Sequence, residues 1–594
     1  MLRRRQSPLP AMRWWPSPES VSRNHPWRYS HHNPGPSGSD WDEGVDLEQF
    51  PPREHVREHG SGVIYVRRSV ETAYVAHLSE RTRSSCIACV SAILLALGLS
   101  ACGRGTNANP VQPYNPFPQT NVLTAGDVNE ILTNAAASIN VPLTIAVVDR
   151  RGQLLGVYQN AGAAGVAIGN FSSILPADEV AIGLARTAAF FSNDQAPIGS
   201  RTVRFLSGIH FPPNVINSES APLYGIENTN RGCGFNTTYL PGQSLPVPTL
   251  LHTSAPGPGI VTGKVDLLDS NQDAVNPGGV PIFKNGKVAG GVGVVAAPGT
   301  ANYNAIVEWA AVAGSIGSGF APIVPDPGAV VVGGVTLPFV EQKTRPTGYT
   351  MGLATGTFTY GPFAGSGTAP EGDLIQEHGS SLGGLTQAQV QKIVLNAVTT
   401  GNMIRAAIRL PVGARAKFVI AVSDLDGSLL ALYRMPDATM FSVDVAVTKA
   451  RNVVYFSGSP NPADLPGVPA GTAVTNRTID FAAQPLYPQG IDGTPPGPFF
   501  PLFVHDVQNP CTQGSQPKNA NQSGIVFFPG SVPLYLNGKL VGGLGVSGDG
   551  VDQDDYATAA GAAGFEAPTA IRADQIFLRG VRLTYQHFPA DPTD

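Results

Sequence analysis

From residue 123 onward, hydrophobic positions along the chain switch between helical and strand spacing, and the whole pattern occurs twice. Leu123-Thr-Ala-Gly-Asp-Val and Leu385-Thr-Gln-Ala-Gln-Val each set an N-cap threonine before an apolar run of helical spacing. The runs are Val128, Ile131, Leu132 and Ala135 in one copy, and Val390, Ile393, Val394 and Ala397 in the other. Residues three and four apart fall on one helix face, so a helix with one buried side is predicted in each. Next, Leu143–Tyr158 and Phe418–Tyr433 each hold two apolar stretches around Asp-x-x-Gly, which reads as a β-hairpin. A second helical run follows, Val180–Phe191 and Val445–Phe456, and then Arg201-Thr-Val-Arg-Phe205 corresponds to Arg477-Thr-Ile-Asp-Phe481. Another hairpin, Pro277–Val294 against Pro529–Val546, turns at Asn285-Gly286 and Asn537-Gly538. Asn-Gly suits a type I′ turn, which needs positive φ at both central residues. Each copy ends in an Ala-rich helix near Tyr303 or Asp554. The predicted module is α+β: helix, hairpin, helix, hairpin, helix, with one antiparallel sheet.

These boundaries give a first module at 123–320, a linker at 321–384 and a second module at 385–594. Between its second helix and last hairpin each copy carries a long Pro/Gly-rich excursion, at 206–274 and at 482–526. Each excursion holds one cysteine, Cys233 or Cys511. Matching placement in a tandem repeat suggests an internal pseudo-dimer in which Cys233 and Cys511 bridge the copies; the alternative is two unrelated reduced thiols.

The sequence before residue 123 has a different character. Residues 1–83 show no period of 2 or 3.6 and read as a disordered arm or as sequence upstream of the true translation start. The first 101 residues hold 12 Arg and no Lys, so the net charge of −5 averages a basic leader with a more acidic body. That balance argues against nucleic-acid binding, which calls for a concentrated basic field. Residues 84–101 combine nearby Arg81 and Arg83 with an apolar run, and Leu99-Ser-Ala-Cys102 resembles the bacterial lipobox. The run is too short for a comfortable membrane span and reads as a signal peptide. Cys102 is then the lipidation site, 102–122 a Pro-rich tether, and the membrane a partner through the N-terminal lipid. The expected location is the bacterial cell envelope, by outer-membrane sorting, facing the periplasm or the exterior. That compartment permits disulfides.

The ordered set Ile-Ala-Val-Val-Asp-x-x-Gly-x-Leu-Leu, Val-Ala-x-x-(Lys)-Ala-Arg and Gly-Gly-Val-Pro-Ile…Gly-Val resembles the GlcG/HbpS-like family, across most of 123–315 and 385–565 outside the excursions. The resemblance implies small α+β modules, several of which bind haem or related tetrapyrroles and assemble into homo-oligomers. The second copy keeps more of the pattern, with Asp444, Ala446, Lys449, Ala450 and Gln553-Asp554. The first has Leu184 in place of the family lysine and Gly299-Thr-Ala-Asn in place of Gln-Asp.

Candidate chemistry is sparse. His210 in Gly208-Ile-His-Phe and His505 in Phe503-Val-His-Asp506 are loop imidazoles suited to a haem iron, with a carboxylate such as Asp506 to orient one. The bland reading of each is a solvated or locally bonded histidine. Gly278 and Gly279 form either a ligand rim or a strand entry with positive φ. Arg186 and Arg451 recur at one helix position and suit a propionate or other anion, or an ion pair with the sheet. Asp549, Asp552, Asp554 and Asp555 crowd a helix start, without EF-hand spacing, where carboxylates complement the helix dipole. Gly379-Ser-Ser-Leu-Gly383 matches Gly-x-Ser-x-Gly but follows no buried strand, so Ser381 is not read as a nucleophile. The expected function is a lipid-anchored envelope protein that binds a small ligand, haem foremost, with no catalytic residue assigned. The alternatives are an enzyme acting on a small organic acid or tetrapyrrole, and a structural surface protein.

Overall fold

Both N-cap threonines start helices with reciprocal capping boxes. The Thr124 hydroxyl accepts from the Asp127 amide while the Asp127 carboxylate accepts from the Thr124 amide, and Thr386 with Gln389 repeats the arrangement. The computed structural model describes residues 121–233, 257–323, 329–365, 369–458 and 463–593. The leader, the segment 84–101 expected to be a signal peptide, and Cys102 lie outside the described residues.

The first module runs α1 (Ala125–Ala137), β1 (Thr144–Asp149), β2 (Leu154–Asn160), α2 (Ala177–Phe191), β3 (Gly279–Lys284), β4 (Lys287–Val295) and α3 (Tyr303–Ser315). The stretch between the modules supplies β5 (Gly356–Tyr360) and β6 (Gly372–Ile375). The second module runs α4 (Gln387–Gly401), β7 (Phe418–Ser423), β8 (Leu429–Arg434), α5 (Phe441–Ser457), α6 (Asn476–Ala483), α7 (Phe500–Gln508), β9 (Ser531–Leu536), β10 (Lys539–Gly548) and α8 (Val551–Gly561).

The result is two similar five-stranded antiparallel sheets packed against helices, ordered β3-β4-β1-β2-β5 and β9-β10-β7-β8-β6. The Asn-Gly turns have the expected positive φ, 53° and 77° at Asn285-Gly286 and 50° and 74° at Asn537-Gly538. Alternate residues of the first sheet face opposite ways. Ile145, Val147, Val280, Ile282, Val292 and Val294 pack with α1 and α3, while Ala146 and Val148 join α2.

The repeated Gly-Gly-x-Gly strand has a packing cause. A Cβ at Gly291 or Gly293 of β4 would lie 2.2 Å or 1.9 Å from the carbonyl oxygens of Ala185 and Ala181 in α2. Gly543 and Gly545 of β10 stand at 2.2 Å and 2.1 Å from those of Ala450 and Ala446 in α5. Only glycine lets the central helix rest directly on the sheet.

The two central helices join the modules. One apolar core contains Ala181, Ala185 and Phe191 of α2 together with Phe441, Val445 and Ala446 of α5. Phe191 stacks on Phe441 with centroids 4.1 Å apart, and the Met440 amide donates to the Phe190 carbonyl at 3.0 Å. Arg409 bonds Gln195 at 3.2 Å, Asp437 at 2.6 Å and Asp549. The two excursions meet, and Cys233 and Cys511 form a disulfide.

Two stretches are more ordered than their composition suggests. The presumed linker closes the far edge of both sheets with β5 and β6. The second excursion contains α7, held by buried Leu502, Phe503 and Asp506, so His505 sits on a helix rather than in a loop.

Candidate functional site

The polar centre of the second module starts from Lys449, which α5 carries over the start of β9 and the end of β10. Its Nζ donates to the Val546 carbonyl at 2.9 Å and to Asp554 Oδ2 at 3.0 Å, with the Phe528 ring centroid 5.0 Å away. Asp554 belongs to the first turn of α8. Both side chains are almost wholly buried. Burial lowers the Lys449 pKa and raises that of Asp554 to about 7. The two shifts agree in meaning: desolvation of each ion outweighs the attraction of its partner. Asp554 Oδ1 is buried without a hydrogen-bond partner among the described residues. Gly530 makes room for the pair, since a Cβ there would lie 2.6 Å from both Lys449 Nζ and Asp554 Cβ.

Around this pair the acidic start of α8 is distributed over bases. Arg477 of α6 bonds Asp555 at 2.5 Å and Asp552 at 2.6 Å. His587 Nδ1 lies 3.1 Å from Asp552 Oδ2, and the His587 amide donates to Asp555 Oδ2 at 3.1 Å. Asp549 pairs with Arg409. The carboxylates therefore make specific ion pairs beyond any helix-dipole effect, and among the described residues no group of three or more His, Cys, Asp or Glu is placed to hold a metal ion.

The first module answers this site position by position. Gly278 stands where Gly530 does: a Cβ there would lie 2.1 Å from the Val294 oxygen and 3.3 Å from Val307 Cβ. Val307 thus replaces Asp554, and Leu184 replaces Lys449; both are fully buried. An outer arginine persists, with Arg201 bidentate to Glu308 at 2.8 Å where Arg477 instead bridges Asp555 and Asp552. The two ionic positions of one copy are apolar, Leu and Val, in the other.

The residues singled out in the sequence are not gathered in one place. His210 is buried, with Nδ1 3.1 Å from the Ser218 carbonyl and Nε2 3.2 Å from Asp492, so it links the two excursions. His505 is exposed in the last turn of α7, and no hydrogen bond forms to its ring among the described residues. Asp506 turns inward, accepts from the Ile525 amide at 3.0 Å, and is pushed by burial to about 8. Gly278 and Gly279 are buried at the entry of β3, without positive φ, against Val294 and Leu184 carbonyl oxygens. Arg186 and Arg451 each donate Nε to a hairpin-turn carbonyl, Gly152 at 3.0 Å and Gly427 at 2.9 Å. Burial lowers the Arg186 pKa to about 10. Asp444 of α5 accepts from the Asn230 amide of the other excursion at 2.7 Å and rises to about 7 on burial.

Two features escaped the sequence reading. The Asp552–His587 contact joins residues far apart in the chain, with no local motif to mark it. The Lys449–Asp554 pair was half visible in the Leu184 difference, but its Val307 counterpart shows only when the last helices are superposed.

The HbpS-like family, described as haem-degrading protein HbpS-like, matches residues 395–563. An uncharacterised 15.0 kDa protein from the dhaT-dhaS intergenic region of Citrobacter freundii is 56% identical over 139 residues, covering 23% of this chain and 67% of that protein. Similar solved structures include a PduOC–haem complex, at 22% identity and TM-score 0.21, covering 31% of this chain and 98% of that one. ORFY of Klebsiella pneumoniae is similar at 20% identity and TM-score 0.20, covering 30% and 90%. A double mutant of Streptomyces reticuli HbpS is similar at 20% identity and TM-score 0.19, covering 33% and 95%.

Proposed function

Because the chain belongs to the HbpS-like family, we propose that it binds haem or a related tetrapyrrole non-covalently, through its second module. The observation that carries this reading is the family match at 395–563, which falls on the copy that keeps Lys449 and Asp554. The residues of that module fit an iron ligand best at His587. Its ring is 68% exposed, and Asp552 holds Nδ1, which leaves Nε2 open in the orientation a carboxylate gives a ligating imidazole. Phe588, 43% exposed and edge-on to Tyr556 at 5.7 Å, adds apolar surface beside it. His505 is open, with no carboxylate bonded to its ring among the described residues, and His210 has both ring nitrogens engaged. Bound haem supplies a redox-active iron; the chain's part is to ligate it and to cover its face.

Haemin titration of the full chain, followed at the Soret band, tests the reading. A saturable shift that His587→Ala removes and His210→Ala leaves in place is the expected result. No shift at micromolar haemin refutes haem binding, and an unchanged shift in His587→Ala refutes the ligand.

The haem-degrading description of the matching family favours a second reading, an enzyme that consumes the tetrapyrrole. A Soret band that decays under reductant and dioxygen, rather than persisting, selects it. The lipobox-like Leu99-Ser-Ala-Cys102 supports a lipid-anchored protein of the cell envelope. Cys102→Ser is then expected to release the protein from the membrane fraction.

A further inference from the structure

The two excursions meet at a tip whose described residues add no strand to either five-stranded sheet. The loop from Pro212 to Glu219 is fixed there on both flanks. On one side the Asn214 amide donates to Gln272 Oε1 at 3.1 Å and Asn214 Nδ2 to Asp273 Oδ1 at 2.6 Å. On the other, the Asp492 amide of the second excursion donates to Asn217 Oδ1 at 3.0 Å, and His210 spans the Ser218 carbonyl and Asp492. Asn214 and Asn217 take positive φ, 63° and 55°, which asparagine tolerates better than most residues. Fixed in this way, the loop holds its aliphatic side chains in solvent: Val215 is 46% exposed and Ile216 73%, with Ile491 of the second excursion at 49%. Ile216 and Ile491 each precede one member of the Asn217–Asp492 hydrogen bond, so segments far apart in the chain place apolar residues on one rim. Exposed aliphatic side chains that are gathered rather than scattered mark a contact surface, and a loop already fixed loses little entropy on binding.

The charge of this rim selects the partner. Glu219 and Asp273 are exposed, Asp492 is half-buried, and among the described residues no lysine or arginine pairs with any of them. The chain has no Lys or Arg between Arg204 and Arg231, and none between Arg477 and Lys518. Such a rim repels anionic partners, nucleic acid and acidic lipid headgroups alike, and draws in a cationic one. A second copy docked here about a two-fold axis would set the same acids against each other. We propose that the tip where the excursions meet docks a basic polypeptide segment, whose aliphatic side chains pack on Ile216 and Ile491 while its lysine or arginine residues face Glu219, Asp273 and Asp492.

A short peptide of alternating lysine and leucine, labelled for fluorescence anisotropy and titrated into the full chain, tests this. Saturable binding that weakens as salt rises is expected. Ile216→Ser combined with Ile491→Ser is expected to weaken it about tenfold, and Glu219→Lys to weaken it while flattening the salt dependence, both at the wild-type melting temperature. A peptide of alternating lysine and serine is expected to bind less tightly and to be indifferent to the isoleucine variant. No binding of the lysine–leucine peptide overturns the proposal. So does binding that the isoleucine variant leaves unchanged, because the peptide then sits elsewhere on the acidic surface. Wild type that runs at twice the chain mass, and at the single mass in the isoleucine variant, assigns the tip to a second copy instead. Pelleting with neutral lipid vesicles that the isoleucine variant abolishes assigns it to a membrane, and either result overturns the proposal.

Discussion

The buried pair of the second module can be exchanged for the apolar pair that the first module already uses, Lys449→Leu with Asp554→Val. The structure sets the size of the effect. Burial holds the Asp554 carboxyl at about 7 against an ordinary 3.8. At about 1.4 kcal/mol per unit, the ionised group weakens the fold by roughly 4 kcal/mol above pH 7. Lys449 is shifted down by the same cause, so neither ion is fully compensated by the other. Removing one partner strands the other in the core and is expected to cost about 3–5 kcal/mol, whereas replacing both with fitted apolar groups is neutral or stabilising by about 1–4 kcal/mol. The sign of the pH dependence follows. A carboxyl with a raised folded pKa costs nothing below its unfolded value, and its penalty grows as pH rises toward the folded value. The loss in Lys449→Leu is therefore expected to be large at pH 8 and to shrink toward pH 4, where Asp554 carries its proton. Denaturant unfolding of wild type, both single variants and the double variant, at each pH, checks this. A double variant that loses as much as the two singles added together would refute the reasoning, because the pair would then be a net stabiliser.

The other expectations concern the module interface and the turns. Asp506→Asn should raise stability at pH 8 and leave it nearly unchanged at pH 4, because burial holds this carboxyl at about 8 and its penalty exists only where the unfolded chain is ionised; melting curves at the two pH values decide. Cys511→Ser opens a link spanning 278 residues and should cost up to about 5 kcal/mol by the loop-entropy relation. Alkylation of both Cys233 and Cys511 in unreduced wild type would show that the link does not form. Arg186→Gln and Arg451→Gln should each lose about 1–3 kcal/mol, because each leaves a hairpin-turn carbonyl without its charged donor. Loss of haemin binding without loss of stability in either variant would return the arginines to the ligand site.

What the sequence made legible was local. Thr124 and Thr386 mark helix starts because a capping box is complete within four residues, and Asn285-Gly286 and Asn537-Gly538 mark hairpins because the turn imposes their conformation. The disulfide was legible from repetition, through one cysteine in each matching excursion. What stayed hidden depends on partners far along the chain. β5 is five residues of Gly, Thr, Phe and Tyr that become a strand because β2 offers an open edge. α7 forms under a Pro-rich surface because Leu502 and Phe503 reach the core. Arg186 and Arg451 were visible as a recurrence, but two identical helix positions above two identical Asp-x-x-Gly turns point to the turn as their common target more simply than to a ligand. The same comparison bears on Lys449. The first module fills the equivalent space with Leu184 and Val307 and keeps its sheet, its glycine contacts and its Arg201–Glu308 pair. The fold therefore does not require a buried ion pair at this point, and burial shifts both groups of the pair toward their neutral forms.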